Sequence, residues 1–90
     1  MARNRVQLAT VRDYLREIWE LGERRAKAES LPLAERLSSA AQAVAAGKVL
    51  GHLLDDESFW ERLWELWRYL GVLERELVRL ERERAQAEVE

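Results

Sequence analysis

This 90-residue sequence predicts an all-α fold, a three-helix hairpin or bundle with a long, coiled-coil-like C-terminal helix that dimerises. Three observations carry that expectation. Four glycines and one proline interrupt a chain that is 36% charged, a composition of long helices joined by few turns. Apolar residues recur at three- and four-residue steps over most of the length, which is the period of a helix face. Turn and cap residues cluster at two places, Ser30-Leu31-Pro32 and Asp55-Asp56-Glu57-Ser58. Ninety residues suit one domain with a modest core.

The first helix is expected over about 5–28. Leu8, Val11, Leu15, Ile18 and Gly22 fall on one face. Arg16 with Glu20, Glu20 with Arg24, and Glu23 with Lys27 are opposite charges four residues apart on the outside. Ser30 can cap the next helix, and Pro32 has no N–H to lose in a first turn.

The second helix is expected over 31–54. Leu33, Leu37, Ala40 and Val44 face one way, and Ala34, Ser38, Ala41 and Ala45 form a stripe of small residues that lets a neighbouring backbone come close. Gly47 and Gly51 each weaken a helix by about 1 kcal/mol relative to alanine, so a break near 47–51 is predicted. Asp55-Asp56-Glu57-Ser58 then places acid at the positive end of a third helix, over 56–87.

That third helix carries the longest pattern. Phe59, Leu63, Leu66, Leu70, Leu73, Leu77 and Leu80 keep an unbroken four-three spacing, the seam of a coiled coil. Arg84 takes the next seam position and ends it. Trp60, Trp64, Trp67 and Gly71 run beside the seam on the N-terminal half. Bundle core is the first reading of these tryptophans, and a partner's groove is the second. Leu66, Leu70, Leu73, Leu77 and Leu80, with Trp64 and Trp67, are therefore the candidate partner or oligomer interface. The end of the helix should outrun the bundle and leave Leu73, Leu77 and Leu80 for a second chain to cover.

One internal echo stands out. Residues 14–21 (YLREIWEL) resemble residues 59–66 (FWERLWEL) at an offset of 45. Amphipathic helices converge on such strings, and duplication is the less favoured explanation.

Chemistry is sparse. There is no cysteine, and His52 is the one histidine. Thiolate and imidazole metal sites, nucleophilic triads and Glu-x-x-His pairs therefore lack their residues. Glycine-rich phosphate loops are missing too. A non-enzyme without cofactor, metal or small-molecule substrate is expected. His52, near the end of the second helix, reads as a surface or capping residue.

Charge is uneven: +2 over 1–29, +1 over 30–54 and −5 over 55–90. N-terminal and C-terminal segments are thereby matched to meet, within a chain or between chains. Arg3, Arg5, Arg12 and Arg16 are candidate nucleic-acid contacts, but acids interleave with them and the sequence pI is about 5.5. A solvated, ion-paired face is the preferred reading.

No apolar stretch long enough to span a bilayer occurs. No apolar run follows Met1–Arg5, so a cytoplasmic address is expected. Arginine supplies 13 of 15 basic residues, which suits a thermophile or a GC-rich genome. The favoured function is a protein–protein interaction module, an assembly, adaptor or regulatory protein of the kind that phages and mobile elements encode. Its partner would be itself or another protein. A small nucleic-acid-associated subunit is the alternative.

Overall fold

A computed structural model describes residues 2–89, and side chains over residues 8–89. Three helices follow in order: α1 over Ala2–Lys27, α2 over Leu33–Leu54 and α3 over Glu57–Val89. α2 packs against both neighbours. Gly22 meets Ser39 and Ala43, Trp19 lies on Gly47, Leu63 reaches Gly47, and Trp60 covers Gly51. These pairings make α1 and α3 each antiparallel to α2. The result is a rod of 66 × 22 × 19 Å.

The connections follow from local chemistry, with one correction. α2 starts at Leu33, and Pro32, extended at φ −56° and ψ 146°, is its N-cap without a side-chain bond. Ser30 is therefore two residues too early to cap it. The Pro32 carbonyl accepts the Arg36 N–H at 3.1 Å. At the other end Asp55 turns left-handed, φ 50° and ψ 48°, and its N–H donates to the Gly51 carbonyl. Asp56 then caps α3, accepting the Ser58 N–H at 3.0 Å and the Ser58 hydroxyl at 2.8 Å. These bonds to Ser58 hold the Asp56 carboxyl below its ordinary pKa.

α2 is continuous, and the break expected near 47–51 does not form. The propensity argument fails here because those glycines admit neighbours. A Cβ on Gly47 would stand 2.8 Å from Leu63 Cδ1 and 2.9 Å from the Trp19 ring, and one on Gly51 would stand 2.9 Å from Trp60. Tertiary packing returns what propensity takes away.

The core is built from Trp19, Ala26, Ala40, Ala43, Val44, Leu50, Phe59, Leu63, Leu66 and Leu73. The helices touch over small residues where α1 meets α2. A Cβ on Gly22 would come 2.6 Å from the Ser39 carbonyl oxygen and 2.7 Å from Ala43 Cβ. The small stripe used is thus Ser39, Ala43, Ala46 and Gly47, while Ala34, Ser38, Ala41 and Ala45 face outward. Between α1 and α3 the space is wider, and the Trp19 indole fills it, its ring 5.0 Å from that of Phe59.

A polar side chain also links all three helices. Arg36 on α2 donates through Nε to the Ala26 carbonyl of α1 at 2.9 Å, and through Nη2 to the Tyr69 hydroxyl of α3. The carbonyl belongs to the last turn of α1, whose acceptors have no helical partner and whose dipole end favours a cation.

Candidate functional site

Leu73 is the last buried residue of α3. Beyond it Glu76 and Leu77 are half-buried, and every residue over 78–89 is exposed. Arg36, in the first turn of α2, lies beside Tyr69, so α2 begins level with that part of α3. The 16 residues of 74–89 therefore project past the bundle, by about 24 Å at 1.5 Å per residue.

The projection stays helical without tertiary burial because its charges are paired along the helix. Arg79 donates to Glu76 and Glu83, one turn before and one turn after it. The hydrogen bond from Arg79 holds the Glu76 carboxyl below its ordinary pKa, and the same partners, Glu76 first, raise that of the guanidinium. Arg84 stands 3.7 Å from Glu88.

The candidate interface residues thus divide. Leu66 and Leu73 are spent in the chain's own core, so neither is offered to a partner. Leu70 and Leu77 are half-buried. Leu80 is 42% exposed, and Val78 beside it is exposed as well. The exposed seam is shorter than the sequence pattern and starts one heptad position later, at Leu77, because α2 reaches far enough to cover Leu73.

Trp64 and Trp67 are not core. They are 53% and 38% exposed, whereas Trp19 is 1% exposed. Their rings stack on each other, 5.3 Å between centroids with 15° between planes. Lys48 Nζ sits 4.0 Å from the Trp67 centroid, within cation–π range. Trp60 is half-buried against Gly51, and His52, exposed, meets it edge-on at 5.2 Å. The tryptophan stripe of α3 faces along the side of α2 and out to solvent, because the seam leucines Leu63 and Leu66 take the inward direction.

The arginine cluster is dispersed. The side chains of Arg3 and Arg5 lie outside the described residues. Arg12 is half-buried, and its Nε has no hydrogen-bond partner among the described residues. Arg16 is exposed and lines a shallow cleft between α1 and α3 with Glu20, Asp56, Ser58 and Arg62. Charges of both signs share that cleft. The ion pairs foreseen along α1 are replaced by one across the bundle: Glu23 accepts from Arg62 at 2.9 Å. That guanidinium also lies 5.8 Å from the Trp19 ring centroid.

Among the described residues no three His, Asp or Glu side chains gather as metal ligands, and no helix is long and apolar enough to cross a membrane. No family model matches this chain, and no curated protein and no solved structure is significantly similar to it.

Two contributors escaped the sequence reading. Trp19 stands one position beyond the Ile18 stripe, and the face truly used is Leu15, Trp19, Gly22 and Ala26. That face keeps helical spacing and was open to recognition. Arg36 left no sequence signal, since its two partners lie ten and 33 residues away.

Proposed function

We propose that this chain is a non-enzymatic protein–protein interaction module that acts through the surface of α3. The observation that carries the reading is the helical projection over 74–89 with Leu77, Val78 and Leu80 on it. Isolated helices of this length are marginal in water, and a fully exposed leucine forgoes about 1.5–3 kcal/mol of burial. A partner would supply the missing burial and make the helix more stable. The stacked pair Trp64–Trp67 adds a second apolar patch of a residue type enriched at binding hot spots.

Amide hydrogen exchange over residues 77–88 tests the reading. In a partner complex these amides should be strongly protected, and in the dilute free chain they should exchange far faster than those of α2, as a helix end without tertiary burial does. Fast exchange at millimolar concentration and in cell extract alike would remove the surface on which the reading stands.

A further inference from the structure

We infer that the α3 projection is built to receive a helix with basic flanks, and that a second α3 is a poor occupant. This rests on the interaction reading above and adds the chemistry of the partner.

The argument starts from the positions bordering the seam. With Leu77 and Leu80 on the seam, the residues beside it in a helical pair are Glu74, Glu81 and Glu88 on one side, and Glu76 and Glu83 on the other. All five are glutamate. The arginines of the segment stand elsewhere: Arg75 and Arg82 on the back of the helix, Arg79 one position outside Glu76 and Glu83, and Arg84 at the next seam position, paired with Glu88.

A parallel pair of these helices would set Glu76 and Glu83 against the partner's opposite flank. An antiparallel pair would set each flank against its own copy. Both arrangements place carboxylate rows on carboxylate rows, an arrangement that flanking charges normally serve to exclude. The two flanks also differ in what they offer. Glu76 and Glu83 are held by Arg79, whereas Glu74 and Glu81 join no ion pair among the described residues. A helix carrying an apolar stripe with Lys or Arg on its border meets both needs: it covers Leu77 and Leu80 and neutralises Glu74 and Glu81.

Three synthetic peptides of equal length and composition class test this by fluorescence anisotropy. One has a leucine stripe flanked by Lys, one has the same stripe flanked by Glu, and one has the Lys residues scrambled off the flanks. The intact chain should bind the Lys-flanked peptide roughly tenfold or more tightly than either other, and added salt should weaken that binding. The exposed double variant Glu74→Lys with Glu81→Lys should invert the preference, and Leu80→Lys should abolish binding, with circular dichroism unchanged in both.

Equal affinity for all three peptides would overturn the charge selection while leaving an apolar interaction surface standing. A homodimer of the intact chain in light scattering that Leu80→Lys dissolves would overturn it too, since a second α3 would then be the occupant. Binding of none of the peptides would overturn it outright.

Discussion

Trp19 lies flat enough against Gly47 that a methyl group there would stand 2.9 Å from two of its ring carbons. The pair fixes how close α1 and α2 come while the largest side chain of the core stays inside. Gly47→Ala gains the helix propensity of alanine, about 1 kcal/mol, but forces Trp19 and Leu63 to move, and overpacking of this kind costs about 1–3 kcal/mol. The expected net effect is destabilising. Gly71, with nothing within 4 Å of a built Cβ, is the internal control: Gly71→Ala should stabilise by roughly 0.5–1 kcal/mol. Urea unfolding of the two variants checks both signs.

The tryptophans should separate by function. Trp19→Ala removes a fully buried indole and should cost about 3–5 kcal/mol. Trp64→Ala and Trp67→Ala remove half-exposed rings and should cost under about 1 kcal/mol each. Thermal unfolding distinguishes them, and a large loss from Trp64→Ala would place that ring in the core after all.

The contrast shows what the sequence could reveal and what it could not. Three helices, their order and the two junctions were legible, because periodicity, Pro32 and the Asp55-Asp56-Glu57-Ser58 cap are local signals. The choice between Trp19 and Trp64 was not. They occupy equivalent places in the two similar strings at residues 14–21 and 59–66, yet one is buried and the other exposed. Leu21 and Leu66 divide in the opposite sense, the first exposed and the second buried, as do Tyr14 and Phe59. The strings present different faces to the bundle, which argues against a structural repeat. Which arc of an amphipathic helix turns inward is decided by neighbours, and α2, bounded by two helices, sets both. The same holds for Glu23, whose partner is Arg62 across the bundle and not Lys27 along its own helix.

Arg36 ties the C-terminal end of α1 to the middle of α3. Arg36→Met keeps much of the aliphatic stem but leaves the Ala26 carbonyl and the Tyr69 hydroxyl without this donor. A loss of about 1–3 kcal/mol is expected. Tyr69→Phe removes one of the two bonds and should cost less, about 0.5–1.5 kcal/mol. In a double-mutant cycle the two should couple by more than 0.5 kcal/mol, roughly the floor for residues in contact. Strict additivity would show that the contact contributes nothing.

Asp56 predicts an acid-sensitive helix start. Its carboxyl is held below the usual range by the Ser58 hydroxyl and N–H, so the folded chain binds its proton less readily than the unfolded chain. Such a group contributes fully above the unfolded pKa of about 4, and its contribution is lost as pH falls through the lower folded value. Asp56→Ala should therefore lower Tm at pH 7, and the loss should shrink as pH falls below about 4. A loss that does not shrink would show that the cap acts without its charge.

Removing residues 79–90 tests whether the projection belongs to the bundle at all. Every buried side chain among the described residues lies before that point, Leu73 being the last, and Leu77 with its half-burial is retained. The truncated chain should unfold cooperatively with a Tm within a few degrees of the intact one, because stability resides in the tertiary burial that the deletion leaves alone. It should also lose binding to the Lys-flanked peptide, because Leu80 and Glu81 go with the deleted segment. A collapse of Tm in dilute solution would mean that residues 79–90 pack against the chain itself, and the free apolar surface would then not exist.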